Sequence, residues 1–459
     1  MGVKPLIIGL AIVIVVASIG GYLAFQYLTT KQAPATTRAK EIRFTIGERQ
    51  YFVDGEERLM DAPPIIIEEQ VYVPVKYLAE AMGTQWDCSQ GRISLVFRDW
   101  GRAVGLFVGR PVIVVCGEER PIPSAPVVRE GQVYLPAKFV AEAFRYNVNW
   151  EPSTRMMIIS STQRYRMTET LRIGGIDKLW MPVPKEWDGI GMSNVKVIEI
   201  SPQPDDIYED ADGNKIAFWE TKGRGLTEYK IVFEADFSPV WYNIDPSKIG
   251  NYDTTSPEYQ KYTKPSPWIE SDNEAIVKLA HEIVGNERNP LIQARLIHDW
   301  VETNIGPGDP QTALETLEKR SSDCGGHSFL FIALCRALGI PARPVAGIQP
   351  DYYQGRFISR VDQQGGLGFH VWSEFYLPGY GWVQCDTACG EGRNIIGIDE
   401  PRIILSRGEV VLGHGIPVDN FPWFHIPRAI PNPHPQYQTN GEELSLTVEV
   451  EKIPTSPGK

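Results

Sequence analysis

Between residues 42 and 161 the chain repeats one pattern of apolar and polar positions. FTIGERQYFVDGEER, from Phe44, returns as LFVGRPVIVVCGEER from Leu106, and VYVPVKYLAEAM, from Val71, returns as VYLPAKFVAEAF from Val133. Both pairs are offset by 62 residues (106 − 44 and 133 − 71). Each copy alternates over short runs, as strands do, and then changes to the spacing of a helix. The pattern therefore predicts two copies of a small α+β unit, packed together as one module.

A proline precedes the helical part of each copy, and a tryptophan follows it. Pro74 and Pro136 suit the first turn of a helix, where the missing N–H of proline leaves no hydrogen bond unmade. Trp86 and Trp150 lead into the apolar runs ISLVF and MMIIS. Each copy is therefore predicted to end with a helix and a closing strand.

Residues 163–265 keep the alternation of strands and are predicted to form a β-sandwich. The stretches KVIEISPQ, KIAFWET and TEYKIVFEADF are strand-like, and TEYKIVFEADF has the period of two that a half-buried strand requires. The turn DADGNK contains part of a calcium-loop pattern, but no Glu follows at the spacing that such loops need. Asp-Gly between two strands favours a hairpin instead.

From Ser271 onward the apolar positions take the spacing of helices. SDNEAIVKLAHEIVG begins with a capping pattern and stops at glycine, and LIQARLIHDWVETNIG follows it. We predict a mixed core over 270–395 and C-terminal strands with a polar tail over 396–459. His281 and His298 lie on these helices and are interpreted as surface or packing residues. Later histidines show no metal-ligand spacing: His414, His425 and His434.

The N-terminus carries an uncharged run from Pro5 to Leu28. About 20 apolar residues in a helix cross a bilayer, so residues 1–30 are predicted to be a transmembrane anchor and 31–41 a tether. Cleavage after Ser18 or Gly20 is the alternative and would give a secreted protein. The flanking charges set the orientation only weakly. We expect the bulk of the chain outside the cell, because a short flank before the run resembles a signal anchor.

Composition and charge narrow the class of partner. A hydrophobic share of 42% and a charged share of 22% are those of a globular protein. The net charge of −12, without a basic stripe, argues against a nucleic-acid partner. Of six cysteines, Cys335 falls in an apolar helix. If Cys324 is a free thiol, Cys88–Cys116 and Cys385–Cys389 are the possible disulfides.

Cys324 stands out because a polar turn precedes it and a long apolar run follows, in SSDCGGHSFLFIALCRALGIPARPV. The apolar spacing predicts a buried helix that ends near Gly339 and Pro341. Cys324 then lies at the helix N-terminus, where unpaired N–H groups and the helix dipole favour a thiolate and an oxyanion. The pattern indicates a nucleophile, which needs a base and a group that orients the base.

FHVWSEFYLPGYGWVQCD supplies both partners if it folds as a hairpin. A three-residue loop, Leu377 to Gly379, places His370 opposite Asp386 on one face of the two strands. A four-residue loop would put them on opposite faces. His327, three residues after Cys324, is the rival base, and it has no evident carboxylate partner. Rival acids are Asp399 and Asp419, neither of which follows a strand paired with that of His370.

These residues resemble the transglutaminase-like superfamily, whose core is papain-like. The matching stretches are DCGGHSFLFIALCRALGIPARPVAG, HVWSEFY and GYGWVQCD, over about residues 270–390. The resemblance implies that Cys324 is the nucleophile, His370 the general base and acid, and Asp386 the orienting group. Supporting residues implied by the same stretches are Trp372, Glu374 and Trp382. The repeats resemble the N-terminal domain of copper amine oxidases, but they contain no histidine and imply no copper.

The resemblance implies an α+β multidomain chain and a thiol acyl-transfer enzyme without metal or cofactor. The order is a transmembrane helix, the tandem-repeat stalk, a β-sandwich and a papain-like core whose Cys-bearing helix packs on an antiparallel sheet. Its substrates would be peptide or glutamine carbonyls of cell-surface proteins. Water as acceptor gives a protease or deamidase, and an amine gives a cross-linker. The alternative is a non-catalytic surface binding or assembly module. A redox function is disfavoured because Cys385 and Cys389 do not form a CxxC motif.

Overall fold

The structure is a computed structural model that describes residues 41–97, 102–115, 117–187, 191–238, 240–242, 244–349, 356–360, 369–388, 397–398, 402–414, 428–430 and 445–453. The predicted anchor lies outside these residues, as does the tether apart from Glu41. Among the described residues, no helix has the length and apolar character needed to cross a membrane.

The repeat region forms three sheets and two short helices. Its elements are β1 (Glu41–Thr45), β2 (Gln50–Val53), β3 (Glu56–Leu59), β4 (Ile65–Ile67), β5 (Gln70–Pro74), α1 (Val75–Met82), β6 (Gln85–Ser89), β7 (Arg92–Phe97), β8 (Arg102–Phe107), β9 (Arg110–Val115), β10 (Glu118–Pro121), β11 (Val127–Arg129), β12 (Gln132–Pro136), α2 (Ala137–Ala143), β13 (Asn147–Glu151) and β14 (Met156–Ser160). The sheet orders are β13-β14-β1-β2-β3, β10-β9-β8-β7-β6 and β11-β12-β5-β4.

Each of these sheets combines strands from both copies of the repeat. The end of the second copy joins the beginning of the first, and the end of the first joins the beginning of the second. In the third sheet Val73 pairs with Leu135, which is the same position in the other copy. The two copies are therefore related by an approximate twofold axis at this pair. They share one hydrophobic core, so neither copy buries its apolar face alone.

The helices of the repeats begin one residue later than the sequence predicts. Pro74 and Pro136 are the capping residues before α1 and α2, and neither lies within the first turn. Proline suits the capping position for the same reason, because a residue there needs no intrahelical N–H bond either.

Residues 163–241 form antiparallel strands of very different lengths. They are β15 (Gln163–Ile173), β16 (Lys178–Val183), β17 (Met192–Ser201), β18 (Asp206–Glu209), β19 (Lys215–Glu220), β20 (Thr227–Phe237) and β21 (Val240–Trp241). The DADGNK turn joins β18 and β19, whose last pair is Glu209 with Lys215, so the predicted hairpin is confirmed. Asp210 accepts hydrogen bonds from the backbone N–H groups of Asp212 and Asn214, both at 2.9 Å, which holds the turn closed.

Helices then alternate with the remaining strands. In chain order these elements are a 3₁₀ turn (Pro246–Lys248), α3 (Pro257–Tyr262), α4 (Glu274–Val284), α5 (Pro290–Asn304), β22 (Gly306–Pro307), α6 (Ala313–Lys319), β23 (Ser321–Ser322), α7 (Cys324–Ala337), β24 (Ala342–Ile348), β25 (Arg356–Arg360), β26 (Phe369–Leu377), β27 (Gly381–Cys385), β28 (Gly397–Ile398), β29 (Ile403–Arg407), β30 (Arg428–Ile430) and β31 (Ser445–Ile453).

Strands from the C-terminal part of the chain complete the sheets of the middle segment. One sheet has the order β17-β20-β15-β31-β25, and another has β18-β19-β16-β30. β31 pairs with β15 along nine residues, from Arg172 with Ser445 to Arg164 with Ile453. β25, β30 and β31 therefore belong to the same sheets as residues 163–237.

A separate sheet has the order β27-β26-β24-β29. His370 lies on its long strand β26, and Asp386 directly follows β27. α7 packs against this strand, and the Ser328 hydroxyl donates a hydrogen bond to the Val371 carbonyl at 3.0 Å. Phe331 meets Phe375 edge to face with 6.1 Å between the ring centroids. The packing of α7 on β26 positions the start of the helix beside the start of the strand.

Candidate active site

Cys324 is the first residue of α7, as the sequence predicts. Asp323 caps the helix, because its side chain accepts a hydrogen bond from the Gly326 N–H at 3.0 Å. The N–H groups of the first turn of a helix have no intrahelical acceptor, so the backbone around Cys324 presents donors. The cysteine is half-buried, whereas the helix behind it is buried from Gly325 to Arg336.

A glycine at 326 lets this helix end approach its neighbours closely. A Cβ at this position would clash with the side chains of Ser322 and Thr316. Ser322 lies in β23, immediately before the helix, and Thr316 lies in α6. The second glycine after Cys324 is therefore required by packing, and it fixes where the helix starts.

His370 lies between the carboxylate of Asp386 and the thiol of Cys324. The distance from His370 Nε2 to Asp386 Oδ2 is 2.7 Å. The Cys324 side chain interacts with the same imidazole and helps to raise the pKa of His370. The structure thus brings together the three residues that the sequence singled out, from a helix start, a strand start and a strand end.

The hairpin that brings His370 and Asp386 together has a different register from the predicted one. Leu377 pairs with Gly381 and Ser373 with Cys385, so the loop is Pro378 to Tyr380 and not Leu377 to Gly379. The predicted opposition of His370 and Asp386 is therefore wrong by two residues. The loop still has three residues and Gly379 has a φ of +86°, so both side chains keep the same face. They meet diagonally across the strands and not directly.

Burial and charge shift the pKa values of these two groups in opposite directions. Burial by itself would lower the pKa of His370, but the Asp386 charge and the hydrogen bonds to Asp386 and Cys324 raise it well above its ordinary value, against the opposing charge of Arg402. Burial would raise the pKa of Asp386, but the charges of His370 and Arg402 hold it well below its ordinary value. Asp386 is therefore a carboxylate at neutral pH, and His370 readily holds a proton.

Two residues that sequence reasoning missed contact Asp386. Arg402 Nη2 lies 2.7 Å from Asp386 Oδ2, the oxygen that also faces His370. His298 Nε2 lies 3.1 Å from the backbone carbonyl oxygen of Asp386. His298 is buried, which agrees with a packing residue but not with a surface one. The spacing of these residues in the chain carries no signal of either contact, because each comes from a separate element.

The rival candidates lie elsewhere or have other partners. His327 directs Nδ1 to the Thr387 carbonyl at 3.3 Å and Nε2 to the Gly306 carbonyl at 3.2 Å. His281 is exposed on α4, and His414 pairs with Asp206 at 3.0 Å. Outside the described residues lie Asp399, Asp419, His425 and His434.

The three supporting residues differ in their distance from the site. The ring of Trp372 lies 6.0 Å from that of His370, with an angle of 18° between the planes, and its Nε1 donates to Gln384 at 2.9 Å. Glu374, further along β26, accepts hydrogen bonds from Arg343 and Arg407. Trp382 lies under the Arg343 guanidinium, 3.8 Å from carbon to ring centroid. Trp372 therefore contacts the candidate base, while the other two hold the sheet behind it.

The cysteines outside the site are free thiols where the structure describes them. Cys88 is half-buried, and Cys335 and Cys385 are fully buried. The proposed partners Cys116 and Cys389 lie outside the described residues, so the predicted pairs Cys88–Cys116 and Cys385–Cys389 stay predictions. Burial raises the pKa of the Cys335 and Cys385 thiols. Both thiols are therefore held neutral in an apolar core.

Comparisons with known proteins assign two regions of the chain to known families. The family model of the transglutaminase-like superfamily matches residues 277–387, and that of the copper amine oxidase N-terminal domain matches 12–97 and 60–159. An uncharacterized protein of Haemophilus influenzae is 30% identical over 259 residues, which cover 50% of this chain and 68% of that protein.

Solved structures of low sequence identity are also similar. A structure described as a candidate cysteine protease from Cytophaga hutchinsonii is 17% identical, with a TM-score of 0.43, over 65% of this chain and 93% of that one. The periplasmic domain of TgpA from Pseudomonas aeruginosa is 16% identical, with a TM-score of 0.25, over 50% of this chain and 88% of that one. By its family matches, the chain belongs to the transglutaminase-like superfamily over residues 277–387, with copper amine oxidase N-terminal domains ahead of that region.

Proposed function

We propose that the chain is a thiol acyl-transfer enzyme in which Cys324 is the nucleophile, His370 the general base and acid, and Asp386 the group that orients His370. The observation that carries the proposal is the position of His370: Asp386 Oδ2 lies 2.7 Å from its Nε2, and an interaction with the Cys324 side chain helps to raise its pKa. A base of this kind must lie within hydrogen-bond reach of the proton it removes.

The reaction begins at the carbonyl carbon of a peptide bond or a glutamine carboxamide. His370 holds the proton of the Cys324 thiol before the reaction, so Cys324 attacks as a thiolate: Sγ forms a bond to that carbon, and the carbonyl electrons move to the oxygen. N–H groups at the start of α7 stabilise this oxyanion. His370 then gives its proton to the leaving amine or ammonia, and the C–N bond breaks to leave a thioester on Cys324.

The thioester is resolved by a second nucleophile. His370 takes a proton from water or from an amine as the oxygen or nitrogen of that nucleophile attacks the thioester carbon. The Cys324 thiolate then leaves, which restores the pair of thiolate and protonated His370. Water gives peptide hydrolysis or deamidation, and a lysine amine gives an isopeptide cross-link. We further propose that the uncharged N-terminal run anchors the chain, so that the substrates are peptides or proteins at the cell surface.

Alkylation of Cys324 tests the proposal without knowledge of the substrate. The full-length protein is treated with iodoacetamide from pH 4 to 9, and peptide mass spectrometry follows each cysteine. We expect rapid modification of Cys324 at pH 5 to 6, where an ordinary cysteine of pKa about 8.5 reacts slowly, and loss of that reactivity in His370→Ala. Asp386→Asn should reduce it as well.

Matched controls are present in the same chain. His281→Ala removes an exposed histidine from α4 and should leave the Cys324 profile unchanged. The buried Cys335 and Cys385 should remain unmodified in the folded protein. If Cys324 reacts like an ordinary thiol and ignores His370→Ala, the enzymatic proposal fails, and a non-catalytic binding or assembly module becomes the better reading. If it passes, ammonia release and incorporation of a fluorescent amine into glutamine peptides distinguish hydrolysis from cross-linking.

A further inference from the structure

Asp386 is held by more groups than its partnership with His370 requires. Oδ2 lies 2.7 Å from both His370 Nε2 and Arg402 Nη2. Oδ1 accepts a hydrogen bond from the Ala388 N–H at 3.0 Å, and the backbone carbonyl of Asp386 faces His298 Nε2 at 3.1 Å. The shared oxygen is the unusual element, because a permanent cation and the candidate base use the same atom.

Arg402 is built into the site and is not a surface contact. Its side chain is 3% exposed, and it enters from the segment immediately before β29. The guanidinium carbon lies 5.2 Å from the centroid of the Trp372 ring. The imidazole of His370 also lies against Trp372, at 6.0 Å. One indole therefore positions both groups that meet at Asp386 Oδ2.

We propose that Arg402, held against Trp372, is a positioning residue: it fixes the Asp386 carboxylate and, by sharing Oδ2, limits how strongly Asp386 binds the protonated form of His370. The inference deepens the proposed function, since it concerns how easily His370 gives up a proton. A guanidinium stays charged at every relevant pH. It therefore offsets part of the carboxylate charge at all stages of the reaction.

The charged and titratable groups around His370 come from several elements. Asp386 follows β27, Arg402 precedes β29 and Cys324 begins α7. Of these, Asp386 and the Cys324 contact raise the pKa of His370, and Arg402 lowers it. Behind Asp386, His298 of α5 contacts its carbonyl. Removal of Arg402 alone should therefore leave the carboxylate unopposed and make His370 hold its proton to higher pH.

The test follows the His370 imidazole directly by NMR. In full-length protein labelled with ¹⁵N-histidine and carrying Cys324→Ala, the pH midpoint of His370 is compared with and without Arg402→Met, which keeps the length of the side chain but removes its charge. We expect the midpoint to rise by about one pH unit. Arg402→Lys, which keeps a charge, should shift it much less. An unchanged midpoint in a folded Arg402→Met protein would overturn the inference.

The alkylation profile of Cys324 provides a second readout that a structural role would not move. With Cys324 present, Arg402→Met should move the part of the rate–pH curve that depends on His370 to higher pH, by about the same amount. If Met at 402 prevents folding, Arg402→Gln replaces it in both measurements, with unfolding by urea as the check.

Failure of this inference and failure of the proposed function give different results. A His370-dependent Cys324 profile with no shift on removal of Arg402 leaves the enzyme standing and rejects the role of Arg402. Cys324 reactivity that ignores His370→Ala rejects the enzyme, and the NMR midpoint still decides whether Arg402 limits proton binding at His370.

Discussion

Glu169 in the middle segment and Glu374 beside the candidate site are both fully buried, but their surroundings differ. Glu169 lies on β15 between Met167 and Leu171, and its carboxyl oxygens have no hydrogen-bond partner among the described residues. Burial raises its pKa to about 8. Burial alone would also raise the pKa of Glu374, but the charges of Arg407 and Arg343 outweigh it and lower the pKa. Equal burial therefore leaves one glutamate protonated and the other ionised.

The difference shows how the sheet at the site is held together. Arg343 of β24 pairs directly with Glu374 of β26, and Arg407 comes from β29 on the other side of β24. Arg407 donates to both carboxylate oxygens, at 2.8 and 2.7 Å, and Arg343 Nε donates to one at 3.0 Å. The ion cluster therefore joins three strands four residues along β26 from His370. The Glu169 carboxyl group, within the part of the chain that the structure describes, forms no such link between strands.

Removal of Glu374 should have the largest effect on stability. Glu374→Ala leaves two buried guanidinium groups without their carboxylate, and a broken buried ion cluster costs about 3–5 kcal/mol. Urea unfolding of the purified variant measures the loss. Replacement of all three residues, Arg343→Met, Glu374→Leu and Arg407→Met, should recover most of it, because no charge is then left unpaired. A loss below about 1 kcal/mol in Glu374→Ala would show that the cluster does not hold the sheet.

Glu169→Gln should become more stable relative to the wild type as the pH rises, because the variant has no buried carboxyl group to ionise. A glutamate whose pKa is raised on folding contributes full stability below its ordinary pKa, and that stability is lost as the pH rises through about 8. The wild type should therefore lose about 1.4 kcal/mol per pH unit relative to Glu169→Gln across that range. Unfolding curves at pH 5, 6, 7 and 8 measure the slope. Glu228→Gln, an exposed glutamate on the neighbouring β20, is the control and should show no such slope.

His298→Ala should have the smallest of these effects. It removes a hydrogen bond to the Asp386 carbonyl and leaves a buried acceptor, at a cost of about 1–2 kcal/mol. Burial would lower the pKa of His298, but hydrogen bonds to Asp299 and to Asp386 raise it above its ordinary value. Its contribution is therefore complete below the ordinary pKa and is lost as the pH rises through the raised one. An equal difference between wild type and variant at pH 5 and pH 9 would contradict this assignment.

Local patterns predicted those features that depend on neighbours in the chain. The 62-residue offset predicts the repeats, and the structure pairs Val73 with Leu135 across their axis. Apolar spacing places Cys324 at a helix start, where α7 begins. A three-residue loop keeps His370 and Asp386 on the same face of the hairpin, as predicted. The strand pairing itself differs from the predicted register by two residues. The error came from the turn, which uses Tyr380 as its third residue and leaves Leu377 in the strand.

Contacts between distant segments could not be predicted in this way. Arg402 lies just before β29 and Asp386 just after β27, and no periodicity along the chain predicts that the two residues meet. The prediction for His298 rests on the spacing of its own helix, and that spacing does not indicate that the end of β27 lies against it. The partners of Glu374 come from β24 and β29, so its charge appeared only as part of a strand pattern. Sequence patterns report periodicity along an element, whereas these contacts depend on how the elements meet.

The pairing of β31 with β15 has a consequence for how the chain acquires its structure during synthesis. β15 emerges early, but its neighbour in the sheet is made only after α7, β26 and β27 have been produced. Until then the backbone edge of β15 that faces β31 has no partner, and exposed edges of this kind invite pairing with other chains. More than half of the chain separates the two strands, so closing this contact is entropically costly and slow. Completion of this sheet therefore waits for a late-made strand, and a stop codon before Ser445 would leave its central strand open to aggregation.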